Sequence, residues 1–339
     1  MADKASSSDL PVVVIGAGMA GLSCATVLAA AGIDAVVVDK GRGVGGRMAT
    51  RRVGDATADH GAQYFTARSD RFVDMVRQWA DAGVVRPWFV DAGEPVWCGV
   101  PTMTAVPKYL AAGLDVRVGW TVTAVSLIVG APDSPGHWQV DAITSDGPCR
   151  LEASAVVMTA PVPQTSAILT AGEVVLAPGA AQRLDAVSYD PCVAVVAVPD
   201  VAGGSPDGPD AGWWRPGDGP VSWVADNAAK GSSSQASFTV HLDVATSVLL
   251  FDADDDQVVA TVAGTGDLAW LRLDDPATTV QVMRWRYARV SVADTGPVLV
   301  AAEAQSGPVV VAGDGFAGPR VEGAVLSGLA AGDLLAAQR

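Results

Sequence analysis

The chain is short of histidine, cysteine and lysine, and each shortage closes off a kind of chemistry. Its histidines are His60, His137 and His241, and neither they nor the four cysteines show metal-ligand spacing, so no metal site is expected. Cys24, Cys98, Cys149 and Cys192 lie far apart with no C-x-x-C pair, which predicts four reduced, partly buried thiols in a cytoplasmic protein. The opening residues MADKASSSDLP contain no apolar core, so no secretory signal is expected. No stretch approaches the ~18–20 apolar residues of a membrane span. Basic residues are outnumbered 22 to 37, for a formal net charge of −15. That surplus argues against nucleic acid and anionic membrane as partners. There is no Ser-His-Asp order and no carboxylate pair that demands an acid/base role. Lys108 and Lys230 are the only lysines beyond position 40.

What is present is a phosphate-binding signature written three times. Half of the 339 residues are hydrophobic, enough for a large core, and the length suggests two domains. Val12 to Val38 reads VVVIGAGMAGLSCATVLAAAGIDAVVV, a strand, a glycine turn, a helix and a second strand. Gly16 permits the tight turn, Gly18 lets the backbone approach a pyrophosphate, and Gly21 lets helix and strand pack closely. The helix starting at Met19 and Ala20 aims its partly positive end at phosphates, and Gly32 stops it. Asp39 ends the second strand, 18 residues after Gly21, where a carboxylate can accept ribose hydroxyls.

The second copy is a basic glycine loop, Lys40 to Arg52, with Gly45-Gly46-Arg47 at its centre. It holds five of the 22 basic residues in 13 positions. Glycines there let the backbone close on an anion, and Arg suits phosphate oxygens. The third copy is Val309-Val310-Val311-Ala312-Gly313-Asp314-Gly315, which opens another helix. A plain nicotinamide-binding unit needs only the first copy, so the three together point to FAD. Two further candidate cofactor contacts are Val122, opening a predicted strand, and Thr159, ending the buried strand Ala155 to Met158.

Between these ends, periodicity predicts an amphipathic helix over 70–82 and short strands over 84–100. A helix is expected over 103–112. Strands at 116–118, 122–129 and 138–140 read as a meander with a turn at 131–136. Residues 199–220 are dense in Pro, Gly and Asp and read as a loop, with Trp213-Trp214 as a packed lid or a surface anchor. A second loop is expected over 226–236. In 237–243, Phe238, Val240 and Leu242 should face one way and Thr239 and His241 the other. Helix is expected over most of 255–271, strand over 280–287, and a closing helix over 319–337 whose Gly323, Ser327, Ala331, Ala324 and Gly328 permit tight packing. On strand 280–287, Trp285 and Tyr287 share a face, and the arginine between them suggests a pocket wall. The signals at the two ends predict an α/β protein. In it, a discontinuous FAD-binding, Rossmann-like domain (9–69, 101–162 and 281–339) carries an inserted α+β substrate domain (70–100 and 163–280).

GAGMAGLSCA, GVGGRMATRR, DHGAQYFT, SWVADNAAKG with the later VHL, RWRYA and GDGFAGPRVEGAVLSGLAAGDLL span nearly the whole chain. Together they resemble the flavoprotein oxidase superfamily that includes the flavin amine oxidases, and within it the renalase family. The resemblance implies a two-domain fold like p-hydroxybenzoate hydroxylase and non-covalent FAD. It also implies oxidation of 2- and 6-dihydro isomers of nicotinamide dinucleotides to NAD(P)+, with O2 reduced to hydrogen peroxide. Carried over residue by residue, Gly313 and Asp314 would meet the ribityl and pyrophosphate region. Arg320 and Val321 would begin the helix aimed at the pyrimidine end of the flavin. Gly61, Ala62, Gln63 and Tyr64 would border the ring, as would Trp285 and Tyr287, and His241 matches the family's active-site histidine. The candidate catalytic set is therefore Gln63, Tyr64, His241, Trp285 and Tyr287. Residues 199–220 and the stretch after His241 depart from the family pattern. Many amine oxidases place a lysine near flavin N5, and neither Lys108 nor Lys230 is assignable to that place from sequence. Rival readings are an amine oxidase or a biosynthetic desaturase, a flavin-binding redox protein without turnover, and an NAD-dependent dehydrogenase.

Overall fold

The computed structural model describes residues 10–130, 136–200, 212–217 and 219–338. They form two compact units. The first comprises the described residues up to Gly46, Pro107–Ser188 and those from Val290 on, and the second Arg47–Val106 and Tyr189–Arg289. Residues 47–69, 101–106 and 281–289, expected with the cofactor-binding segments, group with the second unit. Residues 163–188 group with the first.

The first unit is built on a six-stranded sheet in the order Leu299–Ala304, Gly307–Val311, Ala155–Met158, Val12–Ile15, Ala35–Asp39, Asp115–Val118. All neighbours are parallel except the first pair, which is a hairpin. Val12–Ile15 and Ala155–Met158 are buried at every residue, the pattern of strands covered on both faces. Helices Met19–Ala30 and Arg320–Ala336 pack against each other. A side chain at Gly328 would meet the Ala20 carbonyl oxygen at 2.0 Å, and one at Gly332 would meet Val27 at 2.6 Å, so these two glycines are required by that contact. The antiparallel meander is Thr121–Ile128, His137–Thr144 and Gly147–Ala153.

Residues 116–118 therefore do not begin the meander. They pair with Ala35–Asp39 because the next two residues, Gly119 and Trp120, donate their N–H groups to Gly41 and Asp39 carbonyls, both at 2.8 Å. A four-residue strand carries too little periodicity to reveal its partner.

The second unit carries a five-stranded sheet in the order Trp213–Trp214, Val221–Asp226, Phe238–Leu242, Ser188–Val198, Thr279–Val292. Of the expected loop 199–220, residues 201–211 and 218 lie outside the described residues. Trp213 and Trp214 are not loop: they pair with Ala225 and Val224 as an edge strand. Hairpins Thr50–Val53/Ala56–Asp59 and Val85–Asp91/Glu94–Gly99 and helix Asp70–Asp81 complete this unit, with helices Val244–Leu250 and Asp255–Ala263. The predicted amphipathic helix is there, with Phe72, Val76 and Trp79 buried. Asp243 and Asp254 cap the next two helices, accepting from the N–H groups of Thr246 and Gln257, each at 2.8 Å. The helix expected over 255–271 stops at Gly264 and resumes as a 3₁₀ turn over Gly266–Leu271. Among the described residues no helix is long and apolar enough to cross a membrane.

Candidate functional site

In the first unit the three glycine signatures meet around one strand end. Gly16 has φ +115°, and a side chain on it would strike the Thr159 hydroxyl at 2.4 Å. A side chain at Gly21 would strike the Gly16 carbonyl oxygen at 1.9 Å. Thr159 is fixed beneath them, its N–H and its hydroxyl both donating to the Ile15 carbonyl at 2.9 Å. These two glycines are demanded by the turn itself. Gly18 is different: nothing lies within 4 Å of where its side chain would be, so the space over it is open. Helix Met19–Ala30 starts there with no side chain capping it and no acid in its first turn, which suits an anion.

The second copy folds onto the first. The Gly45 N–H donates to the Ala17 carbonyl at 2.8 Å, and a side chain on Gly46 (φ +53°) would sit 3.6 Å from the Gly18 Cα. The third arrives beside Thr159: the Ala312 N–H donates to the Met158 carbonyl at 2.9 Å, and a side chain on Gly313 would lie 3.8 Å from the Thr159 oxygen. Gly313 and Asp314 are buried, and Val321 lies in the first turn of the helix that follows. Ala317 (φ +48°) and Arg320 (φ +80°) hold left-handed backbone at that helix start, which costs a non-glycine residue ~1–3 kcal/mol. Asp39 ties the cradle together, accepting from the Ala17 N–H at 2.7 Å and the Gly41 N–H at 2.6 Å. Lys40 is exposed and donates to Gln164 at 3.3 Å. Val122 pairs with Ala142 in the meander, two residues past Trp120. Apart from Arg47, Gly61, Ala62 and Gln63, which lie in the second unit, the sequence-derived cofactor contacts belong to this unit.

In the second unit the five-stranded sheet has two unlike faces. Phe238, Val240 and Leu242 join Val193, Val195 and Val224 in an apolar core with Val258, Val262, Leu268 and Leu271. The opposite face carries Thr239 and His241, as the alternation predicted. Trp223 lies directly opposite His241 across the strands. Val280 and Val282 pack on the apolar core, so the odd residues of Thr279–Val292, including Trp285 and Tyr287, face the other way. Arg286 is on the core side, paired with Asp252 at 3.3 Å and lying over Phe251. Trp285 and Tyr287 therefore share a face, as the alternation predicted, and Arg286 between them lies on the other.

The segment Asp59–Phe65 covers this polar face. The Trp285 indole N–H donates to the His60 carbonyl at 3.0 Å, and the His60 ring stacks on Trp285 at 5.1 Å. The same carbonyl hydrogen-bonds the His241 ring. A side chain at Gly61 would collide with the Arg47 carbonyl oxygen at 2.1 Å and sit 3.5 Å from Trp285, and the Ala62 N–H donates to that same carbonyl at 2.8 Å. The Arg47 guanidinium donates to the carbonyls of Tyr287 at 3.2 Å and Ala288 at 3.4 Å. Burial pushes His60 down to about 4, with Arg51 adding to the fall and Asp59 opposing it. Burial likewise pushes His241 down to about 4; the His60 carbonyl opposes this, and Arg289, His60 and Lys230 reinforce it. Both imidazoles are neutral at neutral pH.

The structure thus brings His241 and Trp285 onto His60, and holds Gln63 by the carbonyls of Asp59 and Gly61 on either side of it. Tyr64 joins an aromatic wall instead: it packs on Trp223 at 5.1 Å and Phe89 at 5.5 Å, and Trp223 stacks on Trp213 at 4.9 Å with the planes 3° apart. Arg215 lies over both indoles, 5.3 Å from Trp223 and 5.4 Å from Trp213, bonds the Tyr64 hydroxyl at 3.3 Å and pairs with Asp91 at 3.6 Å. Tyr287 packs edge-on against Tyr189 at 5.7 Å.

Sequence reasoning missed what supports this face. Lys230 and Asp59 are a buried ion pair at 2.8 Å, both side chains 0% exposed, with the ammonium 4.8 Å from the Trp88 ring centre. Asp59 also accepts from Thr50 at 2.6 Å, Ser232 at 3.2 Å and the Met103 N–H at 3.1 Å. Its carbonyl receives the Thr239 hydroxyl at 2.9 Å and the Gln63 amide, and its N–H donates to Asn227 at 3.2 Å. The one sequence signal for this hub was the near-absence of lysine, which makes a buried Lys230 conspicuous.

Residues 14–79 match the NAD(P)-binding Rossmann-like domain, and residues 87–335 match the flavin containing amine oxidoreductase family. Over 57 residues the chain is 49% identical to hydroxyneurosporene desaturase of Rubrivivax gelatinosus. That stretch is 17% of this chain and 11% of the desaturase. Its fold is similar to that of a protein assigned as a protoporphyrinogen oxidase from Exiguobacterium sp. 255-15, with TM-score 0.68 and 11% identity over 98% of this chain and 99% of that one. It is also similar to a redesigned triple mutant of putrescine oxidase, with TM-score 0.61 and 16% identity over 97% and 99%.

Proposed function

The chain belongs to the flavin containing amine oxidoreductase family, and on that premise we propose that it is a renalase-like oxidase of 2- or 6-dihydronicotinamide dinucleotides. Membership brings FAD as the cofactor and oxidoreduction as the chemistry. The cradle of the first unit fits that cofactor, with open space over Gly18, an uncapped helix start and glycines where side chains would collide. Bound FAD supplies the two-electron acceptor. No cysteine lies in the 313–317 motif to form a thioether, so the proposal includes non-covalent binding.

One observation carries the substrate reading. The aromatic wall of the second unit is the kind of surface that binds cations, and its cation positions are filled by the protein's own Arg215 and Lys230. An alkylammonium substrate would meet like charge there. A neutral, planar dihydropyridine ring meets aromatic faces and neutral imidazoles. The proton balance agrees. A dihydropyridine becomes a pyridinium by losing a hydride alone. An ammonium must first lose a proton, and imidazoles near pKa 4 are poor bases at neutral pH. Trp285, held by the His60 carbonyl and ring, would fix the pose, because hydride transfer tolerates little displacement.

The test is anaerobic stopped-flow mixing with both dihydro isomers, ordinary 4-dihydro NADH and a panel of simple amines. Either isomer should bleach the flavin in one fast phase, 4-dihydro NADH should be a poor donor, and air should restore the colour with release of peroxide. Rapid bleaching by an amine, with no response to the isomers, would establish an amine oxidase instead.

A further inference from the structure

We propose that the polar face of the second unit selects a primary carboxamide on the substrate ring, with Gln63 and His241 as acceptors for its N–H groups and Trp223 as donor to its oxygen. This rests on the dihydronicotinamide reading and goes beyond it, since a hydride donor need not carry an amide.

The orientation of each group follows from its neighbours. The Gln63 amide nitrogen donates to the carbonyls of Asp59 and Gly61, the latter at 3.1 Å. Two carbonyls on one end force the nitrogen there and turn the Gln63 oxygen away, where it is buried without a partner. His241 bonds the His60 carbonyl, and its Nε2 is buried without a partner. A carbonyl accepts only from an N–H, so the proton sits on Nδ1 and Nε2 presents a lone pair. The Trp223 Nε1–H is a third buried polar atom with no partner, on an indole only 6% exposed.

The three belong to one patch. Trp223 and His241 are opposite each other in the sheet register, with side chains on the same face. Thr239, two residues along that face, shares the Asp59 carbonyl with Gln63. Tyr64, the residue after Gln63, packs on Trp223 at 5.1 Å. Two further polar atoms beside them, His60 Nδ1 and the Nε1–H of Trp213 stacked on Trp223, are also buried without a partner. Buried polar atoms are nearly always satisfied in native proteins, so this cluster indicates an absent polar partner. Among them, the Gln63 oxygen, His241 Nε2 and the Trp223 N–H are two acceptors and one donor, which complement the two N–H donors and one oxygen of a primary amide.

The test uses the FAD-loaded enzyme and two unreactive ligands, NAD+ and its 3-acetylpyridine analogue, in which a methyl group replaces the amide nitrogen. Binding is followed by the perturbation of flavin absorbance. NAD+ should bind roughly tenfold to a hundredfold more tightly, because the analogue leaves both acceptors unpaired. The preference should shrink towards unity in Gln63→Met and His241→Phe. If those variants do not fold, the comparison on the unaltered enzyme decides alone. Equal affinities, with the flavin still bleached by a dihydro isomer, would overturn the carboxamide proposal and leave the substrate reading standing. No bleaching by either isomer would overturn both.

Discussion

The two units build their chemistry from different materials. The first uses mostly main chain: glycines at 16, 18, 21, 45, 46 and 313 shape a cradle that lets the backbone approach a phosphate. The second uses side chains from segments far apart in sequence, residues 59–65, 213–241 and 285, gathered by sheet register and by the carbonyls of Asp59 and His60. A backbone site tolerates almost no added atom at Gly16 or Gly21 and depends on no titrating side chain. A side-chain site depends on buried partners and on protonation. The contrast can be broken at either end.

The largest effect is expected at Gly21. Its Cβ would collide with main chain, the Gly16 carbonyl oxygen at 1.9 Å, and main chain cannot swing aside. Gly21→Ala should destabilise the turn by more than about 3 kcal/mol, and the protein should purify colourless. Normal flavin absorbance in that variant would mean the cradle is looser than its contacts indicate.

Next is the hub of the second unit. Lys230→Met strands the Asp59 carboxylate, fully buried, without its cation. A loss of about 3–5 kcal/mol in urea denaturation is expected, with part recovered in Asp59→Asn/Lys230→Met, where no charge is left unpaired. A loss under about 1 kcal/mol would contradict the account.

Protonation comes third. The folded-state pKa of His60 and of His241 is about 4, below the ordinary 6.5. The unfolded chain therefore takes up protons before the folded one. Stability that is full above pH 6.5 should fall as pH drops towards 4, by up to about 3 kcal/mol for each histidine. His241→Gln should lose less than the parent over that window, measured by thermal unfolding at each pH. Parallel losses would show that His241 is not held neutral by the fold.

The smallest expected effect sits at Arg47. Arg47→Ala should weaken FAD retention by roughly tenfold to a hundredfold, an energy of ~1.5–3 kcal/mol. Arg77→Ala, which removes an exposed charge beside Asp74, should not change it. Equal retention in the two variants would reduce the basic glycine loop to a solvated charge run.

The same division explains what could be read from sequence. The turn at 16–21, the helices over 70–81 and 320–336 and the alternation of 238–242 were legible, because each follows from local sterics or period. The edge strand at Trp213–Trp214 was not, since it has two residues and sits in a Pro/Gly/Asp-rich stretch. The strand Leu299–Ala304 and the helices Val162–Ala171, Ala180–Ala186 and Val244–Leu250 were also missed, being short or weakly amphipathic. His60 carried no sequence signal of its own. Its role comes from a ring stacked on Trp285 and a carbonyl shared by two side chains some 180 and 225 positions away.

The division itself is tested most directly by Trp285→Ala, with flavin content and the rate of anaerobic flavin bleaching measured on the same preparation. If the second unit selects and poses the substrate, flavin content should stay near the parent's while bleaching by the dihydronicotinamide isomer slows by at least about tenfold. Loss of flavin with an unchanged bleaching rate per bound flavin would contradict the account, because Trp285 would then serve the cofactor and not the substrate.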